Sequence, residues 1–146
     1  MVNCAGLSAR SLADDPGVRA IRGQQVVVTN PGLTEFFSED TGMSPDLLCI
    51  YPHGDIVVLG GTAIDGDESL DVDQQAAEAI LARCRAVEPR LAQVRVLDHR
   101  VGLRPTCDYV RVDEDPDRKL LHNYGHGGAG VTLSWGCAYQ IQSMIG

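Results

Sequence analysis

Only sixteen residues follow the last glycine of Gly125-x-Gly127-x-x-Gly130, and that shortage limits what the chain can fold into. The spacing is that of a dinucleotide-binding fingerprint. Such a fingerprint opens a βαβ unit of about 30 residues and needs an acidic side chain about 20 positions on to hold a ribose. None of the residues after Gly130 is acidic, and they leave no room for a second strand. The pyrophosphate-cradle reading therefore fails. What remains is a glycine-rich turn joining a strand to a helix. At such a place backbone N–H groups approach a ligand closely and favour an anionic or electron-rich group. Thr132 is positioned to cap the helix or to donate to that ligand.

Upstream, the pattern is that of short strands with one clear helix. Leu7–Ala13 reads as a short helix before the Asp14-Asp15-Pro16-Gly17 turn. The β-branched run Gln24–Thr29 reads as a strand closed by Asn30-Pro31-Gly32. Cys49–Tyr51 and Asp55–Leu59 read as strands of a hairpin turned at Gly54. Asp73 is a suitable N-cap for a helix to about Glu88, with Ala76, Ala77, Ile80, Leu81, Cys84 and Val87 on one buried stripe. Pro89 ends it, because the residue before a proline is pushed out of helical geometry. Val94–Leu97, Tyr109–Val112 and Leu120–Asn123 read as further strands, and Gly130–Ile145 as the closing helix. The expected fold is mixed α/β (α+β) with a partly antiparallel sheet, in a single domain over residues 1–146.

Composition removes several function classes. The 146 residues suffice for one sizeable core. A net charge of −8 without a Lys/Arg cluster argues against nucleic acid. No apolar run approaches the roughly 18 residues of a membrane helix, and no signal-peptide pattern opens the chain; a cytoplasmic location is the expectation. Cys4, Cys49, Cys84, Cys107 and Cys137 are widely spaced without a C-x-x-C, which argues against a disulfide framework and a zinc site. His122 and His126 read as lying in a glycine loop rather than on one helix face, so no metal is expected.

"HNYGHGGAGVTLSWG" (His122–Gly136), taken with "HRVGLRP" (His99–Pro105), resembles the C-terminal flavin-contacting signature of the D-amino-acid oxidases. "VNCAGLSAR", "IRGQQVVV" and "YPHGDIVVLGGT" fall in the family's order and at about its spacing, and "AAEAILARCRAVEPRL" resembles its helix. The resemblance covers essentially the whole chain. It implies FAD-dependent oxidative deamination of a D-amino acid with molecular oxygen, giving a 2-oxo acid, ammonia and hydrogen peroxide. No side-chain general base is required if the amine arrives neutral, so no catalytic side chain is assigned.

By the same resemblance, Arg104 matches the arginine that binds the substrate carboxylate, a role suited to a planar, permanently charged fork. Gly128 matches a glycine whose carbonyl faces the substrate amine. Gly127, Gly128, Gly130, Val131 and Thr132 match the loop against the flavin ring, and Ala5 and Gly6 a small-residue turn near the cofactor. Neutral D-amino acids are the default substrates; His53 or His99 as a second basic group would suit an acidic one, though each also reads as a turn or core histidine.

The chain departs from the family in two ways. Where the family has a carboxylate-contacting tyrosine three residues before the proline matching Pro52, this chain has Cys49. Tyr51, on the same face of a strand, either substitutes imperfectly or leaves one contact missing. The family's N-terminal half, the Rossmann-type unit that holds the ADP part of FAD, is also expected to be absent. Three readings follow: an oxidase, alone or as one piece of a split enzyme whose other half is a separate chain; a non-catalytic remnant that binds flavin and substrate weakly; or a redox-inactive module that holds a small carboxylate through Arg104.

Overall fold

The computed structural model describes residues 1–39 and 46–145. Among these residues eight strands form: β1 (Val2–Asn3), β2 (Arg19–Thr29), β3 (Phe37–Glu39), β4 (Leu48–His53), β5 (Ile56–Gly60), β6 (Ile64–Asp65), β7 (Val96–Asp115) and β8 (Leu120–His126). The helices are α1 (Ala9–Leu12), α2 (Gln74–Val87) and α3 (Gly130–Ile145). The expected mixed, partly antiparallel α/β class is what is observed. None of the described helices is long and apolar enough to cross a membrane.

The chain folds into two compact units. Unit 1 gathers Met1–Ile21, Asp65–Asp67 and Arg104–Gly146; unit 2 gathers Arg22–Ile64 and Glu68–Leu103. The long strands β2 and β7 each continue from one unit into the other.

In unit 2 the strands run in the order β2-β5-β4-β3, all antiparallel neighbours. The expected hairpin turns at Gly54, whose φ of +62° is left-handed and suits glycine. Val26 pairs with Leu59 and Val28 with Val57. These four and Ile50 pack with Ala77, Ile80 and Cys84 of α2 in one core. Helix α2 begins as its sequence predicts: the Asp73 carboxylate accepts from Gln75 N at 2.9 Å and Ala76 N at 3.1 Å. Of the expected stripe, Ala77, Ile80 and Cys84 are buried and Leu81 packs at the margin, whereas Val87, in the last turn, is exposed.

The start of α2 is tied to β2 by polar groups. Gln24, fully buried, accepts from Asp73 N at 2.9 Å and donates from Nε2 to Asp73 O at 2.7 Å. Arg22 donates to Gln24 Oε1 at 3.0 Å and to Ser69 O at 2.9 Å. Burying these groups is tolerable because each is hydrogen-bonded.

In unit 1 the order is β1-β8-β7, with β1 parallel and β7 antiparallel to β8. Two corrections belong here. The separate strands expected at Val94–Leu97 and Tyr109–Val112 give way to one strand, β7, which starts only at Val96, takes in Tyr109–Val112 and is twenty residues long. Gly102 and Pro105 resemble breakers, yet the strand absorbs them, with a register irregularity between Thr106 and Arg111. Strand β8 also outlasts its expected end at Asn123 and reaches His126, with Gly125 at φ +84° inside it. A Cβ at Gly125 would sit 2.7 Å from Cys107 Sγ, so the neighbouring strand also demands glycine there.

Candidate active site

The register of β7 on β8 builds the site in unit 1. Thr106 is opposite His126, so Arg104, two residues earlier on the antiparallel partner, comes level with the turn that follows β8. Gly127–Ala129 form a 3₁₀ turn and α3 starts at Gly130, the residue expected. A Cβ placed on Gly128 would lie 3.5 Å from Arg104 Cδ and 3.7 Å from Nε. The guanidinium stem thus runs along the bare Gly128 backbone. Gly127 has φ +57°, and a Cβ there would stand 3.1 Å from Thr106 Oγ1.

Gly6, also left-handed at φ +57°, comes within 3.5 Å of Pro105 Cγ by the same measure. The structure therefore brings Gly6, Arg104, Gly127, Gly128 and the start of α3 together. Ala5 is less directly involved: it packs beside the cluster of Ala9, Val18 and Tyr124, and its N–H donates to Asn3 Oδ1 at 3.0 Å. Val131 and Thr132 are exposed in the first turn of α3. Thr132 lies inside the helix, so the capping role open to it on sequence does not arise.

Helix α3 carries no ionisable Asp, Glu, Lys or Arg, and its N-terminal N–H groups give the positive end of a 16-residue dipole. Arg104 adds a full positive charge beside it. The arrangement favours a carboxylate at Arg104 and negative charge at the α3 N-terminus. A pocket of about 300 Å³ opens alongside, lined by Cys4, Gly6, Pro105, His126, Gly130 and Cys137 among others.

A network that the sequence reading missed fixes β8 behind the turn. Asp15 accepts from the Tyr124 hydroxyl at 2.8 Å, from Arg111 Nη1 at 2.9 Å and from Gly17 N at 3.0 Å. Arg111 also donates to the Tyr124 oxygen at 3.0 Å and to both carboxylate oxygens of Asp113. The Tyr124 hydrogen bond, helped by Arg111 and Gly17, holds the Asp15 carboxyl below its ordinary range against the opposing effect of burial. Burial, with Asp15 beside it, pushes the Tyr124 phenol up. The three side chains are separated by up to 109 residues in sequence, so no local pattern announces them.

Cys49 and Tyr51 belong to unit 2. Both lie on β4, opposite Gly60 and Val58 of β5. Cys49 is buried; a Cβ on Gly60 would collide with its sulfur. The Cys84 thiol donates to the Cys49 carbonyl at 3.7 Å, and burial followed by the proximity of Cys49 pushes that thiol up to about 11. Tyr51 is half-buried and packs its ring against Phe36 at a centroid distance of 6.2 Å. His53 is exposed at the end of β4, whereas His99 on β7 is half-buried.

Comparison with known proteins gives these features a context. The FAD dependent oxidoreductase family profile matches residues 1–144. The chain is 49% identical over 149 residues to a D-amino-acid oxidase of Rubrobacter xylanophilus, covering all of this chain and 45% of that protein. It is 36% identical to a human D-aspartate oxidase, covering 99% of this chain and 43% of that one. A glycine oxidase structure from Bacillus cereus shares the fold with a TM-score of 0.83 at 21% identity, over 99% of this chain and 41% of that chain. This chain thus spans a little under half the length of the relatives it matches, and it belongs to the FAD-dependent oxidoreductase family of the D-amino-acid oxidases.

Proposed function

We propose that this chain supplies the substrate-binding part of an oxidase that deaminates neutral D-amino acids to 2-oxo acids, with FAD as cofactor. The observation that carries this reading is the seating of Arg104 along bare Gly128 at the head of α3. Arg104 grips the substrate carboxylate through its paired N–H groups. Gly128 accepts from the substrate amine through its carbonyl, which orients the Cα–H bond. A Cβ at Gly128 would only touch the Arg104 stem, at 3.5 Å from Cδ, so the two residues border the same small space.

The residues at the turn also fit a flavin ring. Gly127 and Gly130 leave room for close approach, Val131 offers an apolar contact, and Thr132 a hydroxyl. The first N–H groups of α3 favour negative charge on a reduced ring. When bound, FAD would supply the oxidising equivalent, accepting hydride from the substrate Cα and releasing it to oxygen as hydrogen peroxide. A neutral amine lets this proceed without a side-chain base, and the imino acid product hydrolyses to the 2-oxo acid and ammonia. Cys49, which stands in place of the family's tyrosine, has no phenol to offer a carboxylate.

A second feature favours action together with another chain that carries the nucleotide-binding part. Val131, Trp135 and Tyr139, spaced four apart on α3, are 90, 88 and 76% exposed. Such a stripe on a helix without charge calls for a covering surface. The experiment is to mix the purified chain with FAD, remove free cofactor by gel filtration and record the visible spectrum. The separately expressed remainder of the R. xylanophilus relative is then added. Retained flavin absorbance and peroxide release from D-alanine in the mixture are expected; absence of both overturns the proposal.

A further inference from the structure

We propose that His126 and Cys137 form an oxidation-sensitive thiol site, at which hydrogen peroxide converts Cys137 to a sulfenic acid with His126 moving the proton. The pair is close: His126 Nε2 lies 3.4 Å from Cys137 Sγ. It is also fixed. His126 closes β8 opposite Thr106, and Cys137 sits on the buried side of α3 with Ile141. Cys137 is only 7% exposed, and a thiol so buried among apolar groups is ordinarily inert because its thiolate is poorly solvated. An imidazole within reach changes that, since the proton can move to nitrogen and leave an ion pair instead of an isolated anion.

Access is provided by the pocket of about 300 Å³ that both residues line, roomy for a peroxide molecule little larger than water. Asn123 lines it too and adds a polar side chain to its wall. The step balances. An S–O bond forms as the peroxide O–O bond breaks; sulfur is oxidised from thiol to sulfenic acid and the second peroxide oxygen is reduced to water. The thiol proton passes to His126 Nε2 and then to the departing oxygen.

The five cysteines supply an internal comparison. All are free thiols, and Cys4, exposed at the rim of the same pocket, is the unassisted reference. The test exposes the full chain to a low excess of hydrogen peroxide with dimedone present and follows each cysteine by peptide mass spectrometry. Cys137 is expected to be labelled about tenfold faster than Cys4 despite its burial, a modest share of what a positioned base can give. His126→Gln should remove that advantage and leave Cys4 unchanged. In guanidinium chloride the wild-type preference should vanish, which decides the matter if the variant does not fold. Labelling of Cys4 first, a Cys137 rate indifferent to His126→Gln in a folded variant, or a preference that survives unfolding would overturn the inference. A cellular source of peroxide at this pocket rests on the oxidase reading, but the added reagent does not. Cys137 labelling in a chain that never retains flavin would leave this inference standing while that reading falls.

Discussion

Replacing Tyr124 by Phe removes one oxygen from the base of the site and nothing from its apolar packing. That hydroxyl donates to Asp15 at 2.8 Å and accepts from Arg111 at 3.0 Å, and the ring is buried. A hydrogen bond to a charged acceptor contributes about 1.5–3 kcal/mol, and Asp15 keeps Arg111 and Gly17 as donors, so a loss of about 2 kcal/mol at neutral pH is expected. The sign of the pH dependence follows from Asp15, whose folded carboxyl is held below its unfolded value chiefly by this hydroxyl. A depressed carboxyl stabilises the fold above the unfolded pKa, near 3.9, and that contribution is lost as pH falls through the folded value. Urea unfolding of wild type and Tyr124→Phe from pH 7 down to pH 3 should show curves about 2 kcal/mol apart at pH 7 that converge below about pH 4. A gap that stays constant across this range would mean that the hydroxyl does not act through Asp15, and would refute the reasoning.

Two further substitutions test the frame that carries the site residues. Asp73→Ala deletes an N-cap that accepts two backbone N–H groups and should cost about 1 kcal/mol in urea unfolding, with Asp73→Asn recovering most of it. Gly60→Ala places a methyl against Cys49 Sγ and should cost about 1–3 kcal/mol by overpacking. Cys49→Ala in the same chain should relieve that strain, and a double-mutant cycle with no coupling would show that Gly60 is glycine for another reason.

What the sequence disclosed and what it hid have physical explanations. Asp73 and Pro89 bound α2 because caps and prolines act locally, through atoms two or three residues away. The start of α3 at Gly130 was legible for the same reason, since a glycine turn before a periodic run leaves few alternatives. Strand β7 was hidden because Gly102 and Pro105 weaken a strand in isolation, and only pairing with neighbours overrides them. Tyr124 and Gly125 read as loop for a similar reason, although Cys107 on the adjacent strand requires glycine there. Arg22 and Gln24 are polar residues on a strand, and their burial becomes intelligible only once Asp73 and Ser69 are seen to satisfy them. Family resemblance supplied separate roles for Arg104 and Gly128, but their contact was not legible, since 24 positions and a bulged strand pair separate the two.

The central claim is the carboxylate grip of Arg104, and steady-state peroxide release from D-alanine tests it most directly. The chain is supplied with FAD and the separately expressed remainder of the R. xylanophilus relative, and wild type, Arg104→Lys and Arg104→Ala are compared. Loss of a charge-assisted pair of hydrogen bonds should lower kcat/KM by about 10²- to 10³-fold in Arg104→Ala, mainly through KM. Arg104→Lys should fall between, because an ammonium keeps the charge without the fork. An Arg104→Ala chain with unchanged kcat/KM would contradict the account.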